Sequence, residues 1–105
     1  MTNKKILGLL GLASRARKIV YGADSTLIEI KKNKVKLVII AEDASERTKN
    51  KFAESAKNYD VPVILCGTID DLSKAIGKQN KAIIGVKENN IATEIEKIDR
   101  SDVNG

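Results

Sequence analysis

Three short apolar runs set the terms for the rest of this chain. KLVIIA at Lys36–Ala41, VILC at Val63–Cys66 and KAIIGV at Lys81–Val86 are too short for buried helices. They are also too continuous for strands with one wet face, so they read as strands covered on both sides. Around them lie segments whose apolar residues recur at helical spacing. Strands and helices therefore alternate along nearly the whole sequence, a pattern that builds a sheet with helices packed on both faces.

The first helix is expected from Lys4 to about Arg17, with Ile6, Leu9, Leu10 and Ala13 on its apolar side. Gly8 and Gly11 lie inside it, each costing roughly 1 kcal/mol relative to alanine. They permit close packing against another backbone. They do not make a phosphate loop, because no strand precedes them and no Gly-Lys-Ser/Thr follows. Ile19–Tyr21 reads as a short strand, followed by a turn at Gly22 and a second helix capped by Asp24 or Ser25. Ala23, Leu27 and Ile30 share one face of that helix, Ser25, Glu29 and Lys32 the other, and Asn33 ends it.

Ser45 is the expected cap of a third helix, with Phe52, Ala56 and Tyr59 toward the core and Asp60 and Pro62 closing it. Thr68 and Asp71 have capping-box spacing ahead of Ile69, Leu72 and Ile76, and Gly77 stops that fourth helix. A last helix begins at Asn90 and buries Ile91, Ile95 and Ile98. Residues 1–100 make one domain by this reading, and 101–105 a disordered tail.

The chain of 105 residues has no histidine and a single cysteine, Cys66. The commonest general base and the commonest metal ligand are thus missing together, and neither a metal site nor a bound cofactor is expected. Glu42 beside Asp43 could serve as an acid/base pair or hold magnesium, but no nucleophile or third ligand accompanies them, and an enzyme is not expected. A lone cysteine in a chain with neither an apolar span nor a signal-peptide pattern points to the cytoplasm.

Charge is unevenly spread. Residues 1–36 carry nine Lys/Arg against Asp24 and Glu29, a net of +7, while the remaining residues hold ten basic and twelve acidic groups. A basic third on a nearly neutral remainder suits a polyanion. Arg15, Arg17 and Lys18 crowd the end of the first helix, where they either complement the helix dipole or meet phosphate. In an alternating fold, ligands meet the loops at one edge of the sheet. Gly22–Ser25, Glu42–Ala44 and Cys66–Thr68 are the candidate loops; Cys66 itself suits a small buried position, and Gly67 either a plain turn or a close ligand approach. Aromatic residues form only 3% of the chain, so base stacking is poorly supplied and structured RNA is favoured over single strands.

Several of these segments, in order, resemble the ribosomal L-seven-Ae family, whose members bind kink-turn RNA. They are Gly22-Ala23-Asp24-Ser25, then KVKLVIIAEDAS, then Val61-Pro62-Val63-Ile64. SRARKIVYG at Ser14–Gly22 is similar to its small bacterial YlxQ-type branch. The resemblance runs from about Ile6 to about Val86. It implies a single-domain three-layer α/β/α sandwich around a mixed sheet of about four strands, with no catalytic activity. In the family the helix after Gly22 opens with Asn and Glu and carries Lys one turn later, contacting the sheared guanine–adenine pairs of the kink. Asp24, Ser25 and Ile28 stand at those positions here. The implied RNA-binding set is Arg17, Lys18, Gly22, Ala23, Asp24, Ser25, Ile28, Lys31, Lys32, Glu42, Asp43, Ala44, Cys66, Gly67 and Thr68, with the Cys66–Thr68 loop packing on a flipped-out nucleotide. The partner implied is structured RNA, such as kink-turn or ribosomal RNA, alongside ribosome-associated proteins. Specificity is altered or affinity reduced by the three departures, and a monomer is expected. The alternative is a protein-interaction module that keeps the fold and has lost RNA binding.

Overall fold

The apolar runs do become strands, and in a computed structural model that describes residues 3–104 they line up as one four-stranded sheet. The chain runs α1 (Lys4–Arg15), β1 (Ile19–Tyr21), α2 (Ala23–Lys31), β2 (Leu37–Ile40), α3 (Glu46–Asn58), β3 (Val63–Leu65), α4 (Ile69–Ala75), β4 (Ile83–Val86) and α5 (Asn89–Asn104). Strand order is β1-β4-β2-β3. β2 pairs parallel with β3 and antiparallel with β4, and β1 pairs antiparallel with β4. The sheet is mixed, and β1, β2 and β3 all point the same way. All four residues of β2 and of β4 are buried, so both faces are covered. α2 and α3 pack together on one face, while α1, packed against α4 and α5, covers the other. Phe52, Leu10, Ile30, Leu72 and Ile95 reach zero exposure around the sheet.

Helix starts follow side-chain chemistry. Asn3 accepts from Lys5 and Ile6 N–H, Ser45 from Thr48 N–H, and Thr68 and Asp71 close the expected capping box. α2 differs: its N-cap is Gly22 at φ 86°, without a side-chain bond, so Asp24 and Ser25 lie inside the first turn. A positive φ there is open to glycine and strained for other residues. α5 opens one residue earlier than expected, with the Glu88 carboxylate accepting from Ile91 N–H at 2.6 Å.

Each of the first four helices ends in the same two-bond αL device. Arg17 N–H donates to Ser14 O and Lys18 N–H to Ala13 O; the equivalent αL residues are Asn33, Asp60 and Gly77. α1 therefore stops at Arg15, short of Arg17. Gly11 does supply a close approach, since a Cβ there would stand 3.1 Å from Ala75 O of α4.

Other expectations shift with strand order. β3 is an edge strand rather than a buried one, leaving Leu65 49% exposed. Tyr59 caps α3 at 36% exposure instead of joining the core, because the αL turn at Asp60 begins beside it. Under α2 the buried pair is Thr26 and Ile30, and Ala23 is exposed. α5 continues through residues 101–104, assigned in sequence to a disordered tail, since no Gly or Pro interrupts it before Gly105, which lies outside the described residues.

Candidate functional site

Because β1, β2 and β3 share one direction, the loops that leave them emerge along one edge of the sheet. Backbone bonds tie these loops side by side. Gly22 N–H donates to Ile83 O (2.9 Å), Ala41 N–H to Ala82 O (2.9 Å), Cys66 N–H to Ile40 O (3.1 Å) and Glu42 N–H to Gly67 O (2.8 Å). Gly22, the Lys81–Ala82 pair, Ala41–Glu42 and Cys66–Gly67 thus form a row in strand order. The three loops singled out in sequence are neighbours here, although 45 positions separate Gly22 from Gly67.

The row is braced from within. Asp43 Oδ1 accepts from Ile69 N–H at 2.8 Å, joining the β2–α3 loop to the first turn of α4. Asp43 is therefore a structural strut as well as a candidate contact. Ala44 and Cys66 are buried, so their side chains are withdrawn from this surface. The exposed apolar group beside that loop is Leu65, which strand alternation alone would have pointed outward. At Gly22 a Cβ would meet nothing within 4 Å, so the backbone is open to an approaching ligand.

From Gly22 the surface continues down α2. Asp24, Ser25, Ile28, Lys31 and Lys32 are all exposed and, at spacings of three and four residues, lie along one helical stripe. Ile28 is 53% exposed, an apolar residue in the middle of this stripe. On the other flank, Tyr21 carries two cations, Lys78 Nζ 5.3 Å and Lys81 Nζ 5.5 Å from its ring centroid. At such distances the ring face attracts each ammonium and holds both lysines beside the Gly22 turn. Sequence reading missed Lys78 and Lys81 because nothing local shows that the α4–β4 loop returns alongside β1.

The basic residues expected to share this edge divide differently. Arg17 and Lys18 precede β1, so they stand one strand length, about 10–13 Å, from Gly22. Lys32 follows the last helical residue of α2 and lies toward the same far end. Gly22–Ser25, Glu42–Ala44 and Cys66–Thr68 are brought together; Arg17, Lys18 and Lys32 gather opposite them, linked to the loops by the α2 stripe. At that far end Lys87 Nζ and Glu29 Oε1 pair at 2.9 Å, and this bond, with Lys34 and Lys32 nearby, holds the Glu29 carboxyl below its ordinary range. Among the described residues no group of three or more potential ligands could hold a metal ion, and no helix is long and apolar enough to cross a membrane.

Comparison with known proteins gives this geometry a context. The model of the ribosomal protein L7Ae/L30e/S12e/Gadd45 family matches residues 4–96. The RNA-binding protein YlxQ of Enterococcus faecium is 34% identical over 95 residues, spanning 90% of this chain and 91% of that protein. RNA-binding protein YlxQ of Bacillus subtilis (strain 168) is 35% identical over 95 residues, spanning 90% and 95%. Among solved structures, a protein with unknown function from Bacillus halodurans superposes with a TM-score of 0.87 at 35% identity, covering 90% of this chain and 96% of that one. The Giardia lamblia 15.5kD RNA binding protein gives 0.76 at 22% identity over 90% and 88%, a likeness of fold.

Proposed function

The chain belongs to the ribosomal protein L7Ae/L30e/S12e/Gadd45 family, and on that premise we propose that it binds structured RNA of the kink-turn kind without performing a reaction. The observation that carries this reading is the row of three loops at one sheet edge, with the first turn of α2 beside it. Free amides and the positive dipole end of α2 suit a phosphate or base edge there. The open backbone at Gly22 and exposed Leu65 supply a close approach and an apolar contact. Both YlxQ relatives are named RNA-binding proteins, which supports the same partner.

Asp24, Ser25 and Ile28 make the contact weaker or differently selective than Asn, Glu and Lys would. An Asp carboxylate accepts but cannot donate as an amide does, and Ile28 brings no charge to the stripe. A kink-turn RNA titrated over a salt series tests the proposal. Wild type should bind with affinity that falls steeply with salt, consistent with about three to five phosphates neutralised. The triple substitution Asp24→Asn, Ser25→Glu, Ile28→Lys should tighten binding to the kink by at least tenfold, since each charge-assisted bond is worth about 1.5–3 kcal/mol. Salt-independent or undetectable binding to structured RNA would refute the function; unchanged affinity of the triple variant would refute the account of the departures.

A second reading draws on Ile28. An exposed isoleucine in the middle of the stripe also suits a protein partner. Partners retained on the protein after nuclease treatment, and lost in Ile28→Lys, would favour it.

A further inference from the structure

The end of the sheet opposite the loop row is the more basic of the two, and the loops themselves are not. Asp24, Glu42, Asp43 and Asp71 lie on the loop side, with Lys78 and Lys81 as the cations beside Tyr21. At the far end Lys18 precedes β1, Lys87 follows β4 and Lys36 precedes β2, three adjacent strands in that order. Their backbones are tied directly: Lys87 N–H donates to Lys18 O (2.8 Å) and Lys36 N–H to Val86 O (2.7 Å). At about 4.8 Å per strand, the three lysines form a row about 10 Å long. Lys32 and Lys34 stand beside it at the end of α2, where Lys34 N–H bonds Glu29 O (3.0 Å).

Among the described residues two carboxylates at this end are held by partners, and a third, exposed Asp60, precedes β3 one strand beyond Lys36. Glu29 is paired with Lys87, and Glu88 accepts from Ile91 N–H. Lys18, Lys32, Lys34 and Lys36 are exposed, and none makes an ion pair among the described residues. The dipole of α2 accounts for cations at its own C-terminus, but not for Lys18, Lys36 and Lys87, which come from other elements.

We infer that this end is a second phosphate-binding surface, taking the sugar–phosphate backbone of an RNA stem that enters at the loop row and runs along the exposed stripe of α2. The inference rests on the RNA-binding reading and extends it: the bend is received at one end, and charge neutralisation is done at the other. α2 is nine residues, about 14 Å, so only a stem longer than that beyond the bend reaches the lysines. Two features fit an RNA helix rather than a compact anion. The cations are spread along a row, and shape-and-backbone recognition of double-stranded RNA needs no base-reading side chains.

The probes are a kink-turn RNA with a long stem, the same RNA with that stem cut below the reach of α2, and polyglutamate. The variant Lys34→Gln/Lys36→Gln changes exposed side chains only, and its urea midpoint checks that it folds. On the long-stem RNA it should lower the slope of log K against log salt by about 1 to 2, at roughly 0.7–0.9 per phosphate released. On the short-stem RNA its affinity should match wild type. Arginine at the same two positions should restore the long-stem slope. An unchanged slope on the long stem, with wild type still binding, overturns this surface and leaves the RNA-binding reading intact. Wild-type protein that binds neither RNA overturns both. Loss of polyglutamate binding with RNA slopes unchanged overturns the inference in favour of an acidic peptide.

Discussion

Replacing Arg17 by glycine should make the protein more stable, because Arg17 occupies a conformation that a bulky side chain resists. Its φ is 59°, and it is the αL residue closing α1, with Arg17 N–H on Ser14 O and Lys18 N–H on Ala13 O. The other three helices closed in this way use Asn33, Asp60 and Gly77, the residue types that tolerate αL. A non-glycine residue in αL costs about 1–2 kcal/mol. Glycine relieves that cost but gives back about 0.5–1 kcal/mol of unfolded-chain entropy. The net gain is about 0.5–1 kcal/mol, or about 3–6 °C in Tm for a domain of this size. Arg17 is exposed, so no buried contact is lost. Urea unfolding followed by circular dichroism measures the effect. Asn33→Gly serves as the internal control and should gain much less, since asparagine is already at ease in αL. An Arg17→Gly midpoint equal to or below wild type, at unchanged m-value, would show that the αL strain is not what the backbone angle implies. The result bears on function as well. A strained residue retained at a helix end is kept for its side chain when its removal stabilises the fold and weakens binding. The same variant should therefore lose about one phosphate from the salt dependence of RNA affinity.

Thr26 is fully buried on the inner face of α2, and its Oγ1 has no hydrogen-bond partner. Thr26→Val keeps the shape and removes the unpaired hydroxyl, so it should stabilise by about 1–2 kcal/mol in the same denaturation assay. Gly85 sits in β4 where a Cβ would stand 2.8 Å from Val20 Cγ1 and 3.2 Å from Thr26 Cγ2 and Val35 Cγ1. Gly85→Ala should cost about 1–3 kcal/mol by overpacking, and Val20→Ala in the same chain should recover part of it. Glu29 titrates below its ordinary value because Lys87 bonds it, so it stabilises the fold at pH above the unfolded value near 4.5. That contribution should fade as pH falls through the lower folded value, and Lys87→Met should flatten the acid side of the stability–pH curve. Thr68→Ala removes half of the capping box of α4 and should cost about 1 kcal/mol, with local loss of amide protection at Asp71.

The fold was largely legible because its determinants are local. Apolar spacing reports which face of a helix or strand is buried, and β2 and β4 are buried along their whole length as KLVIIA and KAIIGV imply. Ser45, Thr68 and Asn33 act as helix boundaries because capping depends on bonds within four residues. Where the signal was ambiguous, reading failed by small margins. Gly22 rather than Asp24 or Ser25 caps α2, since a positive φ can start a helix with no side-chain acceptor. Leu65 and Tyr59 are exposed because β3 lies at an edge and α3 turns away beside Asp60, facts that no short window contains.

The arrangement of the candidate site divides along the same line. Local patterning specifies the alternation of strands and helices, most of the caps, the Gly22 turn and the three loops that follow β1, β2 and β3. Which of these become neighbours depends on how the strands pair. The order β1-β4-β2-β3 sets Gly22, Lys81, Glu42 and Gly67 in one row, through hydrogen bonds between residues far apart in the chain. It also sends Lys18 and Gly22, four positions apart, to opposite ends of the sheet, because a whole strand separates them and each extended residue advances the backbone by about 3.3 Å. Lys18, Lys36 and Lys87 come together at the far end for the converse reason. Charge along a sequence is additive, but charge at a surface depends on which strand ends the sheet brings together.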